Sequence, residues 1–509
     1  MRLTLLLFSC VFYPSFCPAQ NNMVSKQNIK VTADEIAIFI KKHPALADYE
    51  REIVLYYKKN EGKMAWFGNG LFAEYAYALE NKLREFSYDG IFSALPYHDE
   101  VNAAFSAPAQ TNTVATDILL TSVYFYYSER IYGGIDDNSS RITGWYIPRK
   151  SHDYCSYLDS LVAEKHFVQL PVHSQYQKLR KALAKYLTIE KKGGWDAINL
   201  PEGFTALNPG DSSSVIIQVR RRLFTEVYLT SDSKSGWYDD TLETAINAYK
   251  VAVNFADEAA ITEELTGQLN IPVEERIRCI AVNMERCRWL EPDVKLQSRL
   301  IAVNIPSFSL VYFIDGIPCL TSRVIVGKQA TKTVVFTGEM SYIVFSPYWN
   351  IPASILKNEI LPQMRKDKNY LNTHDMEWTA NGRLRQRPGP ENPLGLVKFI
   401  FPNSSNIYLH DTPAKHLFSK ETRAFSHGCI RVEKAQELAV AILKNDAQWL
   451  QQRTEQAMHA GKESIYLLKN KLPVYIAYFT ACADENGNVS FFEDIYHRDK
   501  QLAKFLYDK

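Results

Sequence analysis

Two residue types that do chemistry together, a histidine and a cysteine, stand at His410 and Cys429. His410 closes an apolar, strand-like run, Ile407-Tyr408-Leu409, and fifteen residues separate it from the segment Ser426-His427-Gly428-Cys429-Ile430-Arg431. A nucleophilic thiol needs a base within hydrogen-bond reach and donors for the oxyanion that forms on attack. A strand carrying His410 and a returning turn carrying Cys429 could bring the two together as imidazolium and thiolate. Gly428 lets the backbone turn sharply, so its N–H and that of Cys429 can face the oxyanion. A helix expected just downstream, over 433–446, would favour the thiolate modestly. A metal site built from His410, His416, His427 and Cys429 is the rival reading, but its spacings match no standard ligand pattern.

Other chemistries fail on their partner motifs. Ser354–Lys357 and Ser231–Lys234 both fit Ser-x-x-Lys, and two hits in one chain show how cheap the pattern is. The S-D-N and K-T-G partners of that pattern are missing. There is no G-x-S-x-G, no phosphate-binding Gly-rich loop, no H-E-x-x-H and no C-x-x-C. The reading therefore needs no cofactor and no metal.

The elements that must hold the pair come in blocks. From 31 to 195 the pattern is helical, opening on a capping box at Thr32 and Glu35. Helices are expected in "GLFAEYAYALENKLREF", "TDILLTSVYFYYSERIYGG" and "YQKLRKALAKYLTI". A turn-rich break near 190–213 precedes a small helical unit over 200–271, and a long amphipathic helix spans 273–290. From Leu300 the texture becomes β, with a hairpin signal at Asp315–Gly316. Further strands are expected in "TVVFTGEMSYIVFSPYW", "LVKFIFPN" and "NIYLHD", and a final one in "KLPVYIAYFTACAD". The stretch 350–395 is irregular, with a helix in "KNEILPQMRKDKNYL".

Composition narrows the class. The 509 residues carry a net charge of +1, which argues against an electrostatic nucleic-acid binder. Hydrophobic residues make up 46% of the chain, so a folded multi-domain protein is expected. The start, one Arg followed by an apolar run from Leu3 to Tyr13 and a small residue at Ala19, reads as a secretory signal cleaved after Ala19. A lipid anchor at Cys10 is the alternative. Beyond residue 20 no apolar run approaches membrane-spanning length, and "LVYFIDGI" is cut by Asp315. Cys155, Cys279, Cys287, Cys319, Cys429 and Cys482 remain after the signal, too sparse for a disulfide scaffold.

The pattern H-x15-SHGCIR resembles the signature of L,D-transpeptidases, the cysteine enzymes that cross-link bacterial peptidoglycan. The segments "NMERCRWL", "WNIPASI", "RLRQRPGPENPLG" and "IYLHDTPAKHLF" are similar to the large periplasmic members. The unit 200–271, with "LNPGD" and "YDDTLETAINAYK", resembles a small peptidoglycan-binding domain, although it lacks the Gly-rich segment before the final turn. A plain spacer bundle is its alternative. The resemblance implies a multi-domain α+β chain: signal peptide 1–19, helical scaffold 20–199, peptidoglycan-binding-like domain 200–271 and connecting helix 272–295. A mostly-β catalytic domain, 296–450, follows with a capping insertion at 350–395, and then a C-terminal helix and strand, 451–509.

Carried onto these positions, the resemblance implies Cys429 as nucleophile and His410 as general base, with Gly428 shaping the oxyanion hole. Tyr408 would donate its hydroxyl there or serve as a core aromatic. His427 would orient or polarise, or simply pack. Arg431 would fork onto a substrate carboxylate or make a structural ion pair, and Ser426 would support substrate binding by hydrogen bonding. Trp349 and Trp378 would wall the pocket or pack beneath it. Arg383, Arg385 and Arg387 suit an anionic peptide, with a solvated charged face as the alternative. The implied activity is 3→3 cross-linking through a Cys thioester, with release of D-alanine from tetrapeptide stems. Hydrolysis, protein anchoring and non-catalytic wall binding are its alternatives. An exported, periplasmic monomer is expected, acylated by carbapenem-type β-lactams.

Overall fold

The computed structural model describes residues 30–68, 71–107, 113–167, 172–255, 259–292, 297–444, 446 and 448–507. The expected signal segment, with Cys10, lies outside the described residues.

The capping box closes as its sequence demands. Thr32 N–H donates to Glu35 at 2.8 Å, and Glu35 N–H returns a bond to Thr32 Oγ1, starting the helix Ala33–Lys42. The helical domain is organised around Val114–Ser128, which is buried without a break from Asp117 to Ser128. A helix buried on all sides must satisfy most of the polar groups it carries. Asp117 accepts from Tyr57 Oη and from the N–H groups of Ala65 and Trp66. Two short strands, β1 (Phe67–Gly68) and β2 (Leu71–Phe72), pair nearby. Three helices, Ser214–Thr225, Asp240–Ala252 and Glu263–Leu269, form a separate small bundle, each started by a side-chain cap at Ser213, Asp239 or Thr262.

The long helix expected over 273–290 runs from Val273 to Arg288 and is buried through its second half rather than amphipathic. Glu285 accepts from Ile135 N–H at 2.6 Å, Trp289 Nε1 at 3.0 Å and Arg288 at 2.8 Å. Arg288 also reaches Asp89 O, and Arg286 pairs with Asp499 at 2.7 Å. The "NMERCRWL" segment is thus the joint that ties the helical domain to the β domain and to the C-terminal helix Arg498–Tyr507.

The β domain begins with β3 (Arg299–Asn304), β4 (Ser309–Ile314) and β5 (Ile317–Gly327). The turn between β4 and β5 is the one signalled by Asp315–Gly316. Both residues have positive φ, 49° and 76°, as a two-residue hairpin loop requires. Then come β6 (Phe336–Phe345), β7 (Trp349–Asn350), β8 (Met376–Trp378), β9 (Leu384–Gln386), β10 (Val397–Ile400) and β11 (Leu409–His410). The last five are β12 (Ala424–Ser426), β13 (Ile430–Val432), β14 (Ser464–Ala477), β15 (Ala481–Ala483) and β16 (Val489–Phe491).

Nine strands form one sheet in the order β12-β5-β13-β11-β10-β6-β14-β3-β4. The sheet closes on itself because β5 is long enough to pair with β4 along its first part and with β13 along its second. β14, which the sequence reading set outside the catalytic unit, lies in the middle of this sheet between β6 and β3. Its pattern is hard to read because a register shift between Leu467 and Leu472 and a proline at 473 interrupt the alternation. The insertion between β7 and β10 folds as a three-stranded sheet, β7-β9-β8, with short helices. Its small core holds Ile360, Met376 and Leu384.

Candidate active site

Strand register puts the reactive residues on one face. β11 pairs in parallel with β13, Leu409 opposite Ile430 and His410 opposite Arg431. Leu409 and Ile430 are fully buried in the main core. Alternation then turns Tyr408, His410, Cys429 and Arg431 to the opposite face. The Ile430 N–H bond to Tyr408 O at 3.1 Å continues the ladder to the residue before β13, setting Cys429 beside Tyr408 and diagonal to His410.

His410 is buried, and its Nδ1 lies 2.6 Å from the carbonyl oxygen of Asp411. A carbonyl only accepts, so Nδ1 carries the proton and Nε2 is left with its lone pair. The Asp411 carboxylate, itself buried, fixes this strand end. It accepts from Leu396 N–H at 2.9 Å and from Lys415 Nζ at 2.6 Å, and Lys415 also bonds Glu433 O. Burial, then the Arg431 and Lys398 charges, pushes the imidazole down to about 3.

Cys429 is half-buried, with Sγ 3.7 Å from Asn406 O. Burial raises its thiol, while hydrogen bonds from Tyr408 and the charge of Arg431 pull partway back. The pair therefore rests as thiol and neutral imidazole, not as the ion pair the sequence suggested. The helix expected over 433–446 forms at Ala435–Leu443, with β13 between it and Cys429.

The turn before Cys429 is held from inside. Gly428 has φ of +115°, a conformation that L side chains rarely adopt. Its N–H donates to Ser426 Oγ at 3.1 Å, and Ser426 Oγ donates to Cys429 O at 2.5 Å. The Gly428 N–H proposed for the oxyanion is thus already engaged, and so is the Ser426 hydroxyl assigned to substrate. No acceptor among the described residues takes the Cys429 N–H. Tyr408 lies beside Cys429 in the strand register, and its ring centroid is 5.6 Å from that of His410.

The remaining expected residues divide. Arg431 is half-buried, and its Nε has no hydrogen-bond partner. His427 is half exposed and reaches into the insertion, where Nε2 is 3.2 Å from Glu359. Trp349 packs on the insertion's own core, and Trp378 is 47% exposed. Arg385 donates to Glu377 at 2.8 Å and stacks 3.9 Å over the Tyr348 ring, so its charge is already paired. Arg387 takes the other Glu377 oxygen at 2.7 Å, and Arg383 is exposed.

Sequence reasoning missed several residues. Asp411 and Lys415 were legible as an i,i+4 pair of opposite charge in "HDTPAK". Lys398 was legible as a cation alternating into the apolar run "LVKFIF". Thr333, which donates to Gly428 O at 2.9 Å, lies in a loop and left no signal.

The site lies on a β-rich domain that is joined to a helical domain. Residues 298–463 match the L,D-transpeptidase catalytic domain, and residues 51–183 match a scaffold domain. A Haemophilus influenzae protein described as a candidate L,D-transpeptidase is 37% identical over 243 residues, 44% of this chain and 48% of that one. The chain thus spans about half the length of that curated relative. Among solved structures, an L,D-transpeptidase from Stackebrandtia nassauensis is 11% identical, covering 54% of this chain and 97% of that one at a TM-score of 0.22. L,D-transpeptidase 3 from Mycobacterium tuberculosis, solved with a faropenem-derived adduct, is 12% identical over 35% of this chain and 60% of that one, at a TM-score of 0.18. Among the described residues no helix is long and apolar enough to cross a membrane.

Proposed function

We propose that this chain is an exported L,D-transpeptidase that forms 3→3 cross-links between peptidoglycan stems through a thioester on Cys429. The observation that carries the reading is the shared sheet face of Tyr408, His410, Cys429 and Arg431, with His410 Nδ1 tied to Asp411 O. Sγ attacks the carbonyl of the third stem residue, a diamino acid, as its proton passes to Nε2 of His410. The oxyanion forms beside the Cys429 N–H and the Tyr408 hydroxyl, the donors left available at this turn. His410 then gives its proton to the departing D-alanine amine, and the thioester remains.

A side-chain amine of a second stem attacks the thioester, losing a proton to His410, and Sγ leaves as the thiol. The thioester conserves the energy of the broken peptide bond, so no nucleotide is required. Proton transfer coupled to attack suits a pair that rests neutral, because a weak base removes the thiol proton only as the C–S bond forms. Arg431 holds a substrate carboxylate, and His427 holds the cap. Penem and carbapenem β-lactams acylate the same sulfur.

Mass spectrometry of tetrapeptide stems incubated with the protein tests this, beside Cys429→Ala. A dimer lighter by one D-alanine, absent from the variant, is the expected product. Tripeptide alone would make water the acceptor, and unchanged stems would reject the enzymatic reading for these substrates.

A further inference from the structure

His410 is the middle of a row. On one side its pairing partner is Lys398 of β10, and on the other it is Arg431 of β13. The three residues sit directly opposite one another across adjacent strands, so their side chains share the active face. The neighbours in sequence confirm that orientation, since Val397, Phe399, Leu409, Ile430 and Val432 are all in the core beneath. Strands two apart are separated by roughly 10 Å, a gap that two long cationic side chains can close around one small anion.

Neither cation has a counter-charge of its own. Among the described residues no carboxylate lies within ion-pairing distance of Lys398 or Arg431, and the buried Nε of Arg431 has no acceptor. The nearest acid to Lys398, Glu463, is engaged with Tyr348 N–H at 2.8 Å. A half-buried cation without a counter-charge is costly, and two flanking a catalytic base are costlier still. Such a pair is the arrangement that an incoming carboxylate satisfies by charge-assisted hydrogen bonds.

We propose that Lys398 and Arg431 form one subsite for a substrate carboxylate, and that filling it raises the proton affinity of His410, so that the base becomes competent when substrate is bound. The proposal rests on the acyl-transfer reading above and adds Lys398 to it as a substrate-binding residue. The groups facing His410 are Lys398 from β10, Arg431 and Cys429 from the β13 side, Tyr408 from its own strand and the Asp411 carbonyl. None of these is an anion at neutral pH, so an added carboxylate supplies the missing negative charge. Burial first, and then the two cations, disfavour the imidazolium, and an anion between the cations offsets their share.

The test follows the His410 resonance in the full chain labelled with 15N-histidine, assigned by its loss in His410→Gln. Acetate is compared with chloride at equal ionic strength. Acetate is expected to move the His410 titration midpoint up by about one unit, a tenfold gain in proton affinity. Lys398→Gln is expected to start from a higher midpoint and to lose the acetate response. Equal midpoints in acetate and chloride, or an undiminished response in Lys398→Gln, overturn the subsite. The wild-type comparison requires no variant and stands even where Lys398→Gln misfolds.

Two amidated stems then identify the carboxylate, one blocked at the terminal D-alanine and one at the diamino acid. Lys398→Gln should raise KM about tenfold for the unblocked stem and leave KM unchanged for the stem lacking the recognised group. An unchanged KM for the unblocked stem overturns the subsite. Wild-type chain that turns over no stem while acetate still moves His410 rejects the transpeptidase reading and keeps the subsite. Turnover without an acetate effect rejects the subsite alone.

Discussion

Nε2 of His427 lies 3.2 Å from a carboxylate oxygen of Glu359, joining the turn in front of Cys429 to the insertion that overhangs it. The histidine thus sits one residue from the buried Gly428 backbone and makes its polar contact outward, with the cap. Both partners are about half exposed, 45% and 55% of their side-chain surface, so the contact is screened and worth about 0.2–1 kcal/mol.

That magnitude sets the first prediction. Glu359→Gln should raise KM for the stem about two- to fivefold and leave kcat nearly unchanged, because the cap loses a tether while the reacting groups stay in place. Steady-state kinetics of the two proteins check this. A large loss of kcat would instead place Glu359 in the chemistry.

The resting protonation of the pair makes the second prediction. Burial holds the Cys429 thiol above its ordinary value of 9.0, so alkylation by iodoacetamide should still be rising with pH at 9. No plateau should appear between pH 6 and 8, where a preformed ion pair would give one. The histidine adds a stability term of definite sign. Its folded value of about 3 is below the ordinary 6.5, so from pH 6.5 down to 3 the unfolded chain binds the proton that the native chain refuses. Stability is therefore lost as pH falls through that window. Urea unfolding at pH 7 and pH 4.5 should show a smaller difference in His410→Gln than in the wild type.

The helices of the first half were legible because their apolar periodicity and caps are local, as at Thr32–Glu35 and in Ser174–Lys191. The β4–β5 hairpin was legible because Asp315–Gly316 demands one kind of turn. The approach of His410 and Cys429 is not local at all. It depends on the parallel pairing of two strands only a few residues long, and no periodicity fixes such a register. The electrostatics depend on burial first and then on cations from other strands, Arg431 and Lys398, so the thiolate suggested by sequence gave way to a neutral pair. β14 was misplaced for a related reason, since membership of a sheet is decided by partners far along the chain.

A third prediction concerns the support of the nucleophile turn from the C-terminal segment. Thr333 Oγ1 donates to Gly428 O and accepts from Gly327 N–H, both at 2.9 Å, while Tyr496 Oη accepts from Thr333 N–H at 3.1 Å and donates to Gly327 O at 2.6 Å. Thr333→Val keeps the volume and leaves buried groups unpaired, a cost of about 1–3 kcal/mol. Because the freed carbonyl belongs to Gly428, the loss should appear as a fall in kcat of roughly tenfold or more, with KM little changed. Thr333→Ser, which keeps the hydroxyl, should recover most of it. Equal activity in Thr333→Val and Thr333→Ser would show that the hydroxyl does not position the turn.

The fourth prediction separates folding from catalysis. Glu285 is buried and serves three donors, Ile135 N–H, Trp289 Nε1 and Arg288, while Arg288 reaches on to Asp89 O in the helical domain. Glu285→Ala strands a buried guanidinium and should cost about 3–5 kcal/mol. Since these bonds join the helical domain to the helix that leads into the β domain, the loss should appear in calorimetry as one transition dividing into two. The β-domain transition should stay near its original temperature. The double variant Glu285→Leu/Arg288→Met removes both charges together, and an apolar replacement of a buried pair is often close to neutral. It should therefore regain much of the stability that Glu285→Ala loses. Its failure to do so would mean that the backbone bonds to Ile135 and Asp89, rather than the charge pair, hold the joint.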